Sequence, residues 1–516
     1  MGVSCNQSGR CCKTLTKQSA TPVDKRKRNE EEQAAKRRKI EAGEIEPSPY
    51  TEEEIAAEER KPKKKVAVMV GYAGTGYKGM QINDKEKTIE GDLFKAFVEA
   101  GAISKANADD PKKSSLVRCA RTDKGVHAAG NVISLKLIIE DPDVVQKINA
   151  ALPAQIRVWG IERTNASFSC YQTCDSRWYE YLIPTHSFLP PHPKSFLGKK
   201  LVESAEQEGV IESYKSRQEE VADFWAETEE RYIKPILEKL EPELRAQVEN
   251  ALHAEETIEP VDEDVKKAAE DAAEAKKDAA AKEAAAAAEA KAAEPKTQDT
   301  PMTEASETPA AEPAAVEEAA PKATKERKPL TPFEVAIKEI KAAYIAAKKA
   351  YRLPEVRRNR VQAALTAYLG TKNFHNYTIQ KPYKDPSAKR VIRSFQVNPK
   401  PVYVNDTEWL SLKVHGQSFM MHQIRKMVAM ATLVVRCGAP IERIEESYGE
   451  RKISIPKAPG LGLLLERPVF DSYNVRAKEA YDKNPIDFTK YEDAMQEFKQ
   501  REIYDRIHRE EEKDNQ

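Results

Sequence analysis

The chain has 516 residues, of which 40% are apolar and 33% charged, and its formal net charge is zero. This composition allows at least one sizeable core, but it is too polar for the whole chain to be globular. The charge is unevenly divided: residues 251–320 hold 19 acidic and 7 basic side chains, or −12, which leaves +12 for the remainder. A basic folded part favours a polyanionic partner such as a nucleic acid.

Membrane and disulfide-stabilised classes are excluded next. No run of 18 apolar residues exists and the N-terminus has no hydrophobic signal-peptide core, so we expect a soluble intracellular protein with no membrane partner. Seven cysteines without a CxxC pair predict a reducing compartment. Cys11 and Cys12, with Cys170 and Cys174, lack the paired spacing of a zinc site, so we expect no cofactor and keep zinc as the less favoured alternative.

Residues 1–62 form a polar N-terminal segment that we predict to be disordered. Two basic clusters, KRKR at 25–28 and KRRK at 36–39, stand seven residues apart and resemble a bipartite nuclear import signal. They predict an import receptor as a partner and the nucleus as the location. The alternative is a solvated basic tail that touches RNA loosely.

Residues 63–194 have the pattern of a folded lobe. Buried strands are predicted in VAVMVGY, SLVRCAR, NVISLKLIIE, IRVWGIERT and SRWYEYLIPT. Between them, TIEGDLFKAFVEAGAI reads as an amphipathic helix with Thr88 at its start, and DVVQKINAAL reads as a helix that ends at Pro153. Mixed helices and strands indicate an α+β, or mixed α/β, fold class.

Residues 195–328 are predicted to be an insertion: a charged helical stretch, then an Ala/Glu/Lys run and a Pro/Thr/Glu-rich continuation that cannot pack. A second lobe follows over 329–475, with the long helix HQIRKMVAMATLVVRCG and the closing strand GLGLLLERPVF. Residues 476–516 are a charged extension that either wraps back onto the fold or contacts RNA. We expect the two lobes to share a largely antiparallel central sheet flanked by helices, with the active-site cleft between them.

A glycine-rich stretch at residues 74–79 follows the first strand with the GxGxxG spacing of a dinucleotide-binding turn. Such a turn needs a helix that begins at the glycines and an acidic residue after a second strand, whereas MQINDKEK intervenes here and Glu99 falls inside a helix. We therefore predict a loop whose backbone approaches RNA phosphate, with Tyr77 for stacking and Lys78 for charge. A nicotinamide-dependent enzyme is the alternative.

The segment RCARTDKGVHAAGNV carries the main catalytic candidate, although DKG alone is an ordinary hairpin turn. R-T-D-x-G-V-H-A, at residues 121–128, resembles the catalytic loop of the TruA family of pseudouridine synthases. Further segments are similar in the same order: GYAGTGYKGMQ, NAALP, FSCYQTCDSRWYEY, LGTKNFHNYT, FMMHQIRKM and APGLGLLLERPVF. GMQ and NFHNYT look like the family's eukaryotic nuclear branch. The resemblance implies a monomeric, cofactor-free isomerase that converts uridines of tRNA to pseudouridine, with small nuclear RNA and mRNA as further substrates.

The resemblance also assigns a catalytic set: Asp123 as nucleophile, Arg425 as the cation that keeps it ionised, and Tyr179 as the residue that stacks on the target base. A carboxylate suits this reaction, because it can stabilise positive charge at C1′ or bond covalently. The sequence leaves open whether Asp123 attacks the sugar, adds to C6 of the base or first removes a sugar proton. Strand alternation alone does not choose between Tyr179 and Tyr181; the eleven-residue spacing from Phe168 favours Tyr179.

Three further residues are expected to contact the substrate. Arg121 is a candidate for entering the RNA stem as the base leaves it, since extrusion costs a few kcal/mol of stacking. Lys124 and His127 are expected to contact the RNA backbone. The main rival hypothesis is an inactive RNA-binding or chaperone protein of the same fold.

Overall fold

The computed structural model describes residues 50–83, 86–254 and 331–514, together with Arg38. The KRKR cluster, most of KRRK, and the Ala/Glu/Lys run therefore lie outside the described residues, as do Cys11 and Cys12. Within the described ranges, no helix has the length and apolar character needed to cross a membrane.

A ten-stranded open sheet forms the centre of the fold, in the order β4-β1-β3-β10-β5-β9-β7-β6, with β2 paired to β3 and β8 to β9. The strands are β1 (Lys64–Tyr72), β2 (Val117–Arg118), β3 (His127–Leu137), β4 (Ile156–Arg163), β5 (Ser176–Pro184), β6 (Gly370–Asn373), β7 (Lys389–Val397), β8 (Val402–Val404), β9 (Thr407–Gly416) and β10 (Leu463–Val469). All pairs are antiparallel except β3 with β10. The predicted α+β class with a largely antiparallel sheet is confirmed.

Helices cover both faces of this sheet. In chain order the α-helices are α1 (Glu52–Ala57), α2 (Ile89–Glu99), α3 (Val144–Ala151), α4 (Phe196–Gln207), α5 (Ile211–Ser216), α6 (Phe224–Thr228), α7 (Lys234–Leu237), α8 (Pro242–Ala254), α9 (Pro332–Ala350), α10 (Glu355–Thr366), α11 (Gln423–Arg436), α12 (Glu442–Glu446), α13 (Asp471–Tyr481), α14 (Glu492–Phe498) and α15 (Asp505–Asp514). Helices α2, α3, α10 and α11 pack on one face, and α13 to α15 on the other. Covered on both sides, the central strands are buried almost without alternation.

Local signals explain where several elements begin and end. Thr88 caps α2, because its hydroxyl accepts a hydrogen bond from the Gly91 amide at 3.2 Å, as the sequence predicts. The predicted strand SLVRCAR is reduced to Val117–Arg118, since the chain then leaves the sheet to form the loop that carries Asp123. The short edge strands β6 and β8 have no alternation that would have predicted them.

The extension after residue 476 wraps back onto the fold, which is one of the two alternatives that its sequence leaves open. Its π-helical turn Lys499–Tyr504 joins α14 to α15 and places Lys499 between Glu180, at 3.3 Å, and Glu466, at 2.8 Å. The Tyr504 hydroxyl donates to Glu180 at 2.7 Å. Burial alone would raise the pKa of Glu180, but Lys499 and these hydrogen bonds hold it below its ordinary value.

The described part of the insertion is helical, and its α7, α8 and the turn before α7 form an apolar cluster with α9 of the second lobe. A fully buried arginine, Arg357 on α10, fastens its base to the sheet domain. The Arg357 guanidinium donates to the Phe188 carbonyl at 2.9 Å and pairs with Glu220 at 2.9 Å. Because a buried charge is costly when unpaired, this clamp fixes where the insertion leaves the fold.

Candidate active site

Asp123 lies on the loop between β2 and β3, where the chain turns sharply. Gly125 adopts a φ of +75°, and the Val126 amide donates to the Asp123 carbonyl at 3.1 Å, so the turn is closed by its own backbone. One third of the Asp123 side chain is exposed. The carboxylate therefore faces the cleft and remains accessible to a substrate.

His422 is the close charged partner of Asp123. Its Nδ1 lies 2.9 Å from Oδ2 of Asp123, a contact that becomes an ion pair when the imidazole is protonated. His422 immediately precedes α11 and has a left-handed backbone with φ of 61°, which non-glycine residues rarely adopt. This contact connects the first lobe to the second across the cleft.

The glycine-rich stretch supports the Asp123 loop. A Cβ added to Gly74 would lie 2.2 Å from the Val126 carbonyl oxygen, and one added to Gly79 would lie 3.0 Å from the Thr122 carbonyl oxygen. The Met80 amide donates to that same Thr122 carbonyl at 3.1 Å. Glycine is therefore required here because two backbone segments of the chain touch. No helix begins at these glycines, since α2 starts only at Ile89, and the dinucleotide-binding alternative loses its structural basis.

The prediction that Tyr77 stacks on RNA is corrected by its burial. Only 2% of Tyr77 is exposed, and its hydroxyl donates to Asp92 at 2.7 Å. Lys87 lies over the ring, with Nζ 4.8 Å from its centroid. The ring is thus part of the packing between the glycine loop and α2. Lys78 is exposed and pairs with Glu86 at 2.9 Å.

The expected RNA contact of His127 is corrected for the same reason. Its side chain is fully buried at the start of β3, and its Nδ1 accepts a hydrogen bond from the Gly74 amide at 3.2 Å. Burial lowers the pKa of His127 to about 4, so the imidazole is neutral at physiological pH. His127 therefore joins the glycine loop to the catalytic loop from inside the fold.

Tyr179 and Tyr181 project from β5 toward the α11 face, while Glu180 between them points to the C-terminal helices. Tyr179 is 8% exposed, and its ring meets Phe419 edge-on at 5.2 Å between centroids. Burial raises the pKa of Tyr179, and the charge of Asp123 adds to that rise. The phenol of Tyr179 therefore stays protonated. Tyr181 instead donates to the Pro459 carbonyl at 2.9 Å.

Arg425 lies in the first turn of α11 but does not form the ion pair with Asp123 that the sequence analysis expects. Its Nε donates to the Ala458 carbonyl at 2.6 Å, and its guanidinium flanks Gly460. The same Gly460 lies close to the Lys124 carbonyl, so Arg425 borders the loop next to Asp123. Of the basic side chains that the structure describes, His422 is the one within ion-pairing distance of Asp123.

Cations surround the cleft. Arg121 and Lys124 are exposed on either side of Asp123. On the second lobe, burial and the neighbouring Lys457 and Lys452 lower the pKa of Lys426. A cavity of about 310 Å³ beside the catalytic loop is lined by residues of the glycine loop and by Lys124. Such a surface suits a polyanion.

His422 is the neighbour of Asp123 that sequence reasoning did not single out. The motif FMMHQIRKM contains it three positions before Arg425, so both were visible in one segment. Residues three apart on a helix share a face, which was the available signal. The left-handed start of α11 and the contact across the lobes could not be read from that spacing.

An accessible carboxylate, a buried and protonated tyrosine, and exposed cations form an arrangement suited to an enzyme that acts on a polyanion, such as an RNA-modifying isomerase. The described residues contain no group of three or more His, Cys, Asp or Glu side chains arranged to hold a metal ion.

Comparison with known proteins gives the particular family. The family model described as tRNA pseudouridine synthase matches residues 364–471. The chain is 43% identical over 464 residues to tRNA pseudouridine synthase 1 of Candida glabrata, an alignment that covers 89% of this chain and 70% of that protein. For tRNA pseudouridine synthase 1 of Schizosaccharomyces pombe the identity is 44%, with 89% and 83% covered. For tRNA pseudouridine(27/28) synthase of Saccharomyces cerevisiae it is 33%, with 86% and 94% covered.

The chain belongs to the tRNA pseudouridine synthase family, the TruA family. The resemblance inferred from residues 121–128 is confirmed, and so is the assignment of the chain as an isomerase that forms pseudouridine.

The contact between Gly74 and Val126 generates a prediction. In Gly74→Ala the new methyl group must displace the Val126 carbonyl and with it the turn that carries Asp123. We expect turnover to fall at least about tenfold, since a shift of about 1 Å at a catalytic group can cost up to about a hundredfold. The measurement is the rate of pseudouridine formation at saturating tRNA.

Gly76→Ala is the matched control, because Gly76 lies in the same loop with a φ of +84° and no atom near its added Cβ. It should cost about 1 kcal/mol of stability through backbone strain while turnover stays within about twofold. Equal losses of turnover in the two variants would contradict the steric account.

Proposed function

We propose that Asp123 is the catalytic carboxylate with which this chain isomerises uridines of tRNA to pseudouridine. One observation carries the proposal: Asp123 is an accessible carboxylate at the cleft between the lobes, with Tyr179 and His422 beside it and exposed cations around it. Family membership supplies the reaction and the substrate class.

The reaction breaks the C1′–N1 glycosidic bond of uridine and forms a C1′–C5 bond. C5 loses a proton and N1 gains one, so no oxidant, reductant or energy source is consumed. A carboxylate at this position can attack C1′, add to C6 of the base or remove a sugar proton. In each case the negative charge of Asp123 is placed where positive charge or an acidic proton develops.

Tyr179 is proposed to hold the target base. Its ring is packed edge-on against Phe419, which fixes the orientation of the exposed part of the ring toward the cleft. Because burial keeps the phenol protonated, Tyr179 is equipped to donate a hydrogen bond to the base or to return a proton after the bond to C5 has formed. Tyr181 is less suited, since its hydroxyl is already bound to the Pro459 carbonyl.

Arg425 is proposed as a positioning residue that turns toward Asp123 when substrate fills the cleft. Its Nε donates to the Ala458 carbonyl, and its guanidinium lies against Gly460, which in turn abuts the carbonyl of Lys124. Because Arg425 is a long side chain in the first turn of α11, we propose that a change of side-chain rotamer brings it toward Asp123.

Arg121 and Lys124 are proposed to bind the RNA itself. Both are exposed and flank Asp123 within three positions. Arg121 is proposed to occupy the space in the stem that a flipped uridine leaves, and Lys124 to neutralise phosphate. Lys78 extends the same basic rim on the glycine loop.

The decisive test follows tritium release from tRNA labelled at uridine C5. Asp123→Ala and Asp123→Asn should lower release at least about a thousandfold while the Kd for tRNA stays within about threefold, since the carboxylate acts on the reacting base and not on phosphate. Glu99→Gln is the matched control: an exposed carboxylate of the same lobe, which should retain full activity. Release at equal rates in wild type and Asp123→Ala would sink the assignment and favour the rival, an inactive RNA-binding or chaperone protein.

Small nuclear RNA and mRNA are proposed as further substrates, a monomer as the active form, and the nucleus as the location. The basic clusters at 25–28 and 36–39 support an import receptor as a partner. Fluorescence microscopy of the full chain with both clusters changed to alanine tests this location. We expect the tagged variant to lose nuclear accumulation, whereas an unchanged nuclear signal would contradict the proposal.

A further inference from the structure

A second cavity of about 310 Å³ lies far from Asp123, at the opposite end of α11. Arg425 and Arg436 mark the two ends of this helix, about 17 Å apart at 1.5 Å of rise per residue. The cavity is partly open and lies where the segment after β5 and Trp225 of the insertion meet the end of α9, the start of β9 and the C-terminal helix α15. Its lining residues are His186, Ser187, Leu189, Pro190, His192, Trp225, Ile345, Lys348, Lys349, Thr407, Arg436 and Glu511.

The charge of this lining is positive. Lys348, Lys349 and Arg436 contribute three cations and Glu511 one carboxylate, which gives +2 with the histidines neutral. Two carboxylates outside the lining also contact it: Glu512 lies 3.0 Å from Lys349, and Glu229 lies 3.0 Å from His192. Concentrating cations in a concave site focuses their field on whatever occupies it.

Two polar atoms of the lining are buried without a hydrogen-bond partner among the described residues: Nδ1 of His186 and Nε of Arg436. Leaving a buried polar group unpaired is unfavourable, so such groups are expected to have a hydrogen-bond partner when a ligand is bound. Burial lowers the pKa of His186 to about 4, and Lys348, Arg436 and Lys349 lower it further in that order. The positive potential that disfavours protonation of His186 also attracts an anion.

We propose that this cavity binds a phosphate group through Lys348, Lys349 and Arg436. Arginine and lysine are the side chains that bind phosphate most strongly, because they donate charge-assisted hydrogen bonds to its oxygens. A phosphate monoester carries about two negative charges at neutral pH, opposite in sign to the net charge of the lining. The site is separate from the catalytic cleft and does not depend on the proposed role of Asp123.

The ligand has two sources with the same chemistry. A small phosphorylated molecule fits the volume, since pockets for such ligands begin at about 300 Å³. A phosphate of bound RNA is the other source, in which case the cavity extends the RNA surface to the far side of the second lobe. Either ligand would bridge α9 and α11, and would stabilise their packing against each other.

Calorimetric titration of the full chain with inorganic phosphate and with pyrophosphate, at constant ionic strength, tests the proposal. We expect saturable binding in the wild type that Lys348→Gln and Arg436→Gln each weaken at least about tenfold, because each removes a charge-assisted hydrogen bond. Lys338→Gln is the matched control: an exposed lysine of the same helix α9, outside the cavity, which should leave binding unchanged. Lys348→Gln keeps the test valid if Arg436→Gln fails to fold.

Absence of saturable binding to either probe in the wild type overturns the proposal, and so does equal binding by the wild type and both lining variants. Gel-shift titration with tRNA separates the two sources. If RNA is the source, Lys348→Gln weakens tRNA binding and inorganic phosphate competes with tRNA. If a small molecule is the source, Lys348→Gln loses phosphate binding while its affinity for tRNA equals that of the wild type.

Discussion

The active site depends on one placement in the sheet: β10, the last strand, lies between β3 and β5. Its parallel pairing sets Leu465 beside Ala128 of β3, and its antiparallel pairing sets Leu465 opposite Tyr179 of β5. The loop that carries Asp123 leads into β3, and the loop bordered by Arg425 leads into β10. Because parallel strands begin at the same edge, both loops open onto the same cleft. Residues more than 300 positions apart are thus brought together by backbone pairing.

The same placement explains how the rest of the molecule is arranged. Strands buried in the middle of an open sheet need cover on both faces. Helices α10 and α11 provide it on the face of the tyrosines, and the C-terminal helices provide it on the other. Glu180 lies between the two tyrosines of β5 but points to the opposite face of the sheet, where it binds Lys499. The C-terminal extension therefore supports the strand that positions Tyr179.

Local patterns in the sequence predicted the elements well, because each element has its own signal. Thr88 indicates the start of α2, and the apolar runs of β1 and β3 indicate buried strands. The position of β10 carries no such signal, because the pairing partner of a strand is chosen by contacts distant in sequence. The α+β class and the largely antiparallel sheet could be predicted, but the order of the strands could not.

The site residues show the same difference between local signals and contacts distant in sequence. Asp123 was predicted because its loop is a continuous motif, and the structure gives it an accessible place in the cleft. Tyr77 and His127 are assigned to RNA from their places in the glycine-rich loop and in the motif around Asp123, but both are buried. Tyr77 packs against α2, and His127 is buried where the glycine loop packs on the loop that carries Asp123. His422 was missed because its role arises only where the two lobes meet.

The central proposal is that Asp123 of the first lobe is the catalytic carboxylate and that His422, at the start of α11 in the second lobe, holds it in position. The most direct test is the single-turnover rate of pseudouridine formation at saturating tRNA for His422→Ala, alone and combined with Asp123→Ala. The account predicts at least a tenfold lower rate for His422→Ala, an unchanged Kd for tRNA, and no further loss when His422→Ala is added to Asp123→Ala. A wild-type rate in His422→Ala would contradict it.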